Sequence, residues 1–233
     1  GPGTQCCTFT TPIMRVLPVA LAAAAVLGAA AVPVSDKSEA PGKPPCHLHF
    51  GLESPCFEMV KKAVGYEIRK YPAGEWWSTT SVAGPADWKD QTKEGFMRNF
   101  KYIGGDNEAG QKIQMSTPVA TSRSGDSLSV SFFMPSALST PPVPSNASGV
   151  SLMHTKTDRY FAVVQFGGFA SGDDLDKRGD QLKAELSQDG VLVLDRRSWL
   201  AQYDPPFNPI FRHNEVWVPV APPTSEEGAD GQQ

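Results

Sequence analysis

The sequence predicts an α+β fold, a curled antiparallel sheet or distorted β-barrel with two flanking helices, built from two pseudo-repeated ββαββ halves. Three observations lead there. Helical periodicity occurs twice, over residues 87–103 and 173–188. Each helical stretch lies between pairs of short segments, several of them alternating and bounded by Gly, Pro or Asp, which read as strands and turns. The order strand, strand, helix, strand, strand then recurs over about 70 residues per half, a size that suits one duplicated supersecondary unit. The halves share negligible sequence identity, so the repeat is one of pattern.

Taken in order, the chain has its first methionine at Met14. From there MRVLPVALAAAAVLGAAA carries one basic residue, an apolar run and small residues near Ala29 and Ala31, the layout of a secretory signal peptide. Residues 1–31 are therefore expected to be upstream residues plus a leader, and the mature protein is expected to be secreted. A short membrane anchor is the competing reading. The run is short and alanine-rich for a span of about 20 apolar residues, so no stable membrane span is expected. Residues 32–54 read as a flexible linker, residues 55–220 as the folded domain, and residues 221–233 as a disordered acidic tail.

Within the domain, residues 57–64 are a short amphipathic lead-in. Residues 66–71 alternate as a strand, Pro72 and Gly74 turn the chain, and residues 76–82 are expected to pair back as a hairpin. The first helix carries Trp88, Phe96, Phe100 and Ile103 on one side, with Lys89, Lys93, Met97 and Lys101 as the adjoining stripe. Asp87 and Asp90 suit its N-terminal end, and Gly104-Gly105 its stop. Gly95 in its middle costs about 1 kcal/mol relative to Ala, which asks for tertiary support or a close neighbour there. Residues 112–121 and 128–134 are expected strands. The prolines of 135–149 keep that segment out of a central sheet. A second hairpin is expected from 150–156 and 160–166. The second helix follows, with Leu175, Gly179, Leu182 and Leu186 on its buried side. Residues 191–194 and 199–203 are strand-like, and 215–220 form the last strand.

Six stretches occur in a fixed order: YEIRKY (66–71), YIGGDNEAG (102–110), KIQMSTPV (112–119), FGGF (166–169), YDPP (203–206) and NEVW (214–217). Together they resemble the SOUL heme-binding family over residues 55–220. The resemblance implies a heme or related tetrapyrrole as a non-catalytic ligand. Heme is a flat apolar disc with two carboxylates on one edge. Its site needs an apolar wall and a basic edge, with His, Met, Cys or Tyr as an optional axial ligand. On that implication the first helix supplies Phe96, Met97 and Phe100 as wall and Lys93 and Lys101 as charge partners. The apolar stretch FNPIF (207–211) would lie over that helix as the facing wall, through Phe207 and Phe211, with Arg212 at its margin. Some family members carry a histidine at the last variable position of YEIRxY, discussed as an iron ligand. Here that position is Lys70, and an amine with an unperturbed pKa of about 10.4 is protonated at neutral pH. His154 and His213 remain as axial candidates.

The formal charge of −4 gives no reason to expect a nucleic-acid partner. The chain has no G-x-S-x-G elbow, P-loop, strand-flanked G-x-G-x-x-G or H-E-x-x-H, so a binding protein rather than an enzyme is expected. A secreted carrier or scavenger of tetrapyrroles is the leading reading. A general binder of hydrophobic small molecules and an interaction protein with a vestigial pocket are the alternatives. Cys46 and Cys56 suit a disulfide in an oxidising compartment. Two free thiols, or a metal cluster with His47 and His49, are the other readings of that segment. Asn146-Ala147-Ser148 is an N-glycosylation sequon in a Pro/Ser-rich loop.

Overall fold

The computed structural model describes residues 47–223 apart from Pro85, Pro206 and Pro209. The expected leader, most of the linker, Cys46 and the end of the acidic tail lie outside the described residues. The elements in order are β1 (His47–His49), β2 (Leu52–Ser54), β3 (Glu58–Lys62), β4 (Glu67–Tyr71), β5 (Trp76–Ala83), α1 (Trp88–Ile103), β6 (Val119–Ser124), β7 (Ser127–Phe133), β8 (Val150–His154), β9 (Arg159–Phe166), α2 (Gly172–Gln188), β10 (Trp199–Gln202) and β11 (Asn214–Val220). Among the described residues no helix is long and apolar enough to cross a membrane.

Nine strands form one antiparallel sheet in the order β3-β4-β9-β11-β10-β6-β7-β5-β8. The duplicated pattern is plain in that order. The triplet β5-β7-β6 on one side matches β9-β11-β10 on the other, and β6 pairs with β10 at the join. The sheet curls without closing, leaving β3 and β8 as its edges.

One expectation about pairing is corrected. Neither β4–β5 nor β8–β9 is a hairpin. β4 pairs with β9, and β5 with β8, so each half lends its first strand to the other. The cause lies in the two corners, which hydrogen-bond each other rather than closing on themselves. Gly74 N donates to Thr155 O (2.8 Å) and Thr155 N to Glu75 O (2.9 Å). Glu75 N donates to Thr155 Oγ1 and Ala73 N to Asp158 Oδ1, both at 2.9 Å. Two further boundaries differ. The strand expected from 112 begins at Val119, and 191–194 contributes only an isolated bridge, Val193 to Val220.

The end of the expected flexible linker is also ordered. Residues 47–54 form the β1–β2 hairpin, whose turn residues Phe50 and Gly51 both take left-handed backbone (φ 50° and 76°). Long-range bonds hold it. Ser54 Oγ meets Thr117 Oγ1 at 2.7 Å, Thr117 N donates to Glu53 O at 2.8 Å, and His49 Nε2 meets Asp204 Oδ1 at 3.2 Å.

Both helices lie on one face of the sheet, and they are seated differently. α2 buries Leu175, Gly179, Leu182 and Leu186, the side read from its periodicity. α1 buries Gln91, Gly95, Asn99, Tyr102 and Ile103 instead of the Trp88–Phe96–Phe100 side. Gly95 allows this, because a Cβ there would sit 2.6 Å from Val130 Cγ2. The close approach brings Asn99 to the sheet, where its Nδ2 donates to Val130 O (2.9 Å) and its Oδ1 accepts from Ser78 Oγ (2.8 Å). Gln91 Nε2 likewise donates to Gly84 O (3.0 Å) and Asp126 O (3.2 Å). Asp87 caps α1 by accepting from Asp90 N, and Ser171 with Asp174 forms a capping box on α2.

Candidate ligand-binding cleft

Strand alternation decides what the other face presents. Ser78, Thr80 and Val130 point to α1, so Trp77, Thr79, Ser129 and Ser131 point away from it. The same alternation places Ala120 and Ser122 of β6, Trp199 of β10, Trp217 of β11 and Phe161 of β9 on that inner face. Together they line a cavity of about 480 Å³, within the range of small-molecule sites. Its volume has a simple origin. Five small residues, Thr79, Ala120, Ser122, Ser129 and Ser131, stand where larger ones would fill the curl. Trp77, Trp199 and Trp217 supply flat apolar walls.

Two arginines stand at this cleft. Arg159 pairs with Glu75 (Nη2 to Oε2, 2.5 Å) and lies over Trp77 and Phe161, at 5.8 and 5.5 Å from the ring centres. Arg197 pairs with Asp195 (2.6 Å) and lies 5.5 Å from the Trp199 ring. Burial pushes the Glu75 carboxyl up, and Arg159 draws it down. The cleft thus joins aromatic walls to guanidinium groups, a combination suited to a flat apolar ligand that bears carboxylates. Met153 and Tyr160 also line it, and no histidine does.

The opposite end of the same interior is filled. Glu215 is 1% exposed and its carboxylate accepts five hydrogen bonds. Arg69 gives two (2.9 and 3.1 Å), and His213 Nε2, Tyr203 Oη and Trp217 Nε1 give one each at 2.8, 2.8 and 2.6 Å. Burial alone would raise the Glu215 pKa. The hydrogen bond from His213 and the charge and bonds of Arg69 outweigh that and bring it to about 2. Arg69, Tyr203 and Glu215 come from YEIRKY, YDPP and NEVW, so three of the six sequence stretches meet at one carboxylate.

The residues singled out in the sequence fall outside the cleft. Phe96 packs partly against Phe132 (5.1 Å) and stacks on Phe100 (5.8 Å). Phe100 is 47% exposed, and Met97, Lys93 and Lys101 are exposed beside it on the outer side of α1. Phe207 and Phe211 are exposed on the loop after β10. Arg212 stacks on Phe169 ahead of α2 at 4.8 Å, and among the described residues no pocket or ring contact joins this loop to α1. The expected facing wall is therefore corrected: the loop's own bonds and the Phe169 contact hold it near α2. His154 stacks on Trp76 (4.3 Å) with its Nδ1 2.9 Å from Lys156 Nζ, and His213 is engaged by Glu215. Neither lines the cleft. Lys70 pairs with Asp158 at 3.1 Å, and that hydrogen bond and charge raise its pKa, which keeps it protonated and unable to bind iron. Cys56 is disulfide-bonded, and Cys46 lies outside the described residues. Asn146 is exposed in a turn closed by Ser148 N to Ser145 O (3.0 Å).

The cleft residues were missed because their signal is a negative one. In β7, Ser129 and Ser131 alternate with Leu128, Val130 and Phe132 and read as a solvent face. The same run facing three tryptophans elsewhere in the chain is the pattern that would have marked an internal space.

Comparison with known proteins bears on this geometry. The family model described as SOUL heme-binding protein matches residues 52–219. Heme-binding protein 2 of Mus musculus is 29% identical over 160 residues, 66% of this chain and 77% of that protein. Heme-binding protein 1 of Sus scrofa is 30% identical over 167 residues, 68% of this chain and 85% of that protein. Among solved structures, the EcmrR C-terminal domain aligns at a TM-score of 0.47 and 10% identity, covering 67% of this chain and 96% of that one. The chain belongs to the SOUL heme-binding protein family.

Proposed function

We propose that this protein binds heme or a related tetrapyrrole as a non-catalytic ligand in the concave cleft. The observation that carries the reading is the cavity of about 480 Å³ between Trp77, Trp199, Trp217 and the small residues of β5, β6 and β7. The macrocycle lies against the tryptophans, and Arg159 and Arg197 take its carboxylates. No histidine lines the cleft, so binding rests on apolar contact and charge, and iron-free porphyrins bind about as well as hemin. The outer side of α1, with Phe96, Met97 and Phe100 between Lys93 and Lys101, is the rival location. It offers an apolar surface with a basic margin but lines none of the described pockets.

The wider role in this reading is a secreted carrier or scavenger. Its supports are the leader-like run from Met14, the exposed Asn146 sequon, and a disulfide at Cys56. Hemin titration of the full chain tests the core of the proposal. Saturation near one equivalent, with a shifted Soret band and quenched tryptophan emission, is expected. Protoporphyrin without iron should compete within a few-fold. A linear, unsaturating rise would reject a specific site. Equal competition by unrelated aromatic ligands would favour a general hydrophobic binder.

A further inference from the structure

Glu75 stands at the corner between β4 and β5, and its backbone is held from the other half of the sheet. Its N–H donates to Thr155 Oγ1 and its carbonyl accepts from Thr155 N, both at 2.9 Å. From that anchor the side chain reaches two residues of the cleft wall. Oε2 accepts from Arg159 Nη2 (2.5 Å) and from Trp77 Nε1 (3.3 Å). The Glu75 side chain is 8% exposed, so the Arg159 charge is already met from within the protein.

The pair is incomplete. A guanidinium and a carboxylate can meet through two parallel bonds, and here they meet through one carboxylate oxygen. Glu75 Oε1 and Arg159 Nε are both buried and, among the described residues, neither has a hydrogen-bond partner. Burial of such an oxygen favours the protonated acid and pushes the Glu75 carboxyl up, while Arg159 and the Trp77 N–H draw it down. The other charged and titratable groups around this corner are engaged elsewhere. Asp158 of the β8–β9 corner pairs with Lys70 and accepts from Ala73 N. Tyr71 of β4 is bonded by Arg69, and Glu53 of β2 accepts from Ser136 N at 2.9 Å. His154 of β8 is stacked on Trp76 with Lys156 at its Nδ1, and Asp195 and Arg197 across the cleft pair with each other. Arg159 is the cation that Glu75 meets.

Building on the tetrapyrrole cleft proposed above, we propose that Glu75 is a specificity-determining residue that holds Arg159 at the cleft and competes with a ligand carboxylate for its guanidinium, so that a carboxylate-bearing ligand binds together with a proton on Glu75. In the free protein one guanidinium faces one carboxylate. A ligand carboxylate makes two, and the buried one takes a proton from solvent. Protonated Glu75 still accepts from Arg159 and Trp77 through Oε2, which keeps the arginine in place. The sign follows from the loss of Arg159's charge to the ligand. That loss raises the Glu75 pKa in the complex above its value in the free protein, so the complex holds more protons and affinity rises as pH falls. A ligand with esterified carboxylates makes no claim on Arg159 and shows neither effect.

The test is titration of the full chain with iron-free protoporphyrin and with its dimethyl ester, read by quenching of tryptophan emission. The range of pH 6 to pH 8 keeps ligand carboxylates, with ordinary pKa values of about 4, ionised. Wild type is expected to bind the acid at least threefold tighter at pH 6 than at pH 8. Calorimetry in two buffers of different ionisation heat should show net proton uptake, and the ester should bind alike at both pH values. Glu75→Gln keeps an acceptor for Arg159 and Trp77 and removes the charge. It should bind the acid at least threefold tighter than wild type at pH 8, lose the pH dependence and leave the ester unchanged. The proposal is overturned if wild type binds the acid equally at both pH values without proton uptake, a result that needs no variant. It is also overturned if Glu75→Gln keeps the wild-type ratio of acid to ester affinity at pH 8, including by weakening both alike. Wild type that binds both porphyrins saturably but without these differences sinks the role of Glu75 alone. Saturable binding of neither porphyrin overturns the cleft reading and the role of Glu75 with it.

Discussion

The interior of the curled sheet is filled at one end and hollow at the other, although both ends are built from the same strands. β11 makes the contrast within three residues. Glu215 is locked by Arg69, His213, Tyr203 and Trp217, whereas Trp217 also lines the open cleft with Ser129 and Ser131. Side-chain size sets the difference. Arg, Tyr and Glu occupy the filled end, and Ala, Ser and Thr leave the other end free. The filled end ties β4, β11 and the loop after β10 to one carboxylate. A bonded cluster and an open cleft thus share one face of one sheet, divided between two groups of residues.

Breaking the filled end should have the largest effect. Glu215→Ala removes the two-bond partner of buried Arg69, which keeps only Glu67, and strands the donors of Tyr203 and Trp217, a loss of about 3 kcal/mol, measurable by urea unfolding. The same carboxylate predicts a pH dependence. Its pKa falls on folding from the ordinary 4.5 to about 2, so its contribution is complete above about pH 4.5 and is lost as pH falls through 2. Thermal unfolding followed between pH 5 and pH 2 should show that decline, and Glu215→Gln should flatten it. Altering the hollow end should leave stability nearly unchanged and act on the ligand. Arg197 is half exposed, so Arg197→Glu should weaken hemin binding by only about 1 kcal/mol. Binding of a porphyrin with esterified carboxylates should not change. If both weaken alike, Arg197 shapes the cleft and does not hold carboxylates.

Much of this architecture was legible in the sequence. The six ordered stretches named the family, and periodicity located both helices. The buried side of α2 followed from leucines, because apolar packing seats it. The buried side of α1 did not follow, because Gln91, Gly95 and Asn99 seat it through hydrogen bonds to sheet carbonyls, and such residues resemble a solvated stripe. Strand pairing failed for a related reason. The corners at 72–75 and 155–158 look like hairpin turns, and only their mutual bonds reveal the exchange of β4 and β8 between halves. The cleft was not read from the sequence because aromatic and basic residues on a helix are conspicuous, while a cavity is written in small residues whose effect depends on what faces them.

The most direct test of the central claim is a parallel hemin titration of three full-length proteins: wild type, Ser129→Phe, and Lys93→Glu with Lys101→Glu. Ser129→Phe places a ring in the cleft and should weaken hemin binding at least tenfold, about 1.4 kcal/mol, while the lysine variant matches wild type. The reverse pattern, with Ser129→Phe binding normally and the lysine variant impaired, would contradict the account and put the tetrapyrrole on the outer side of α1.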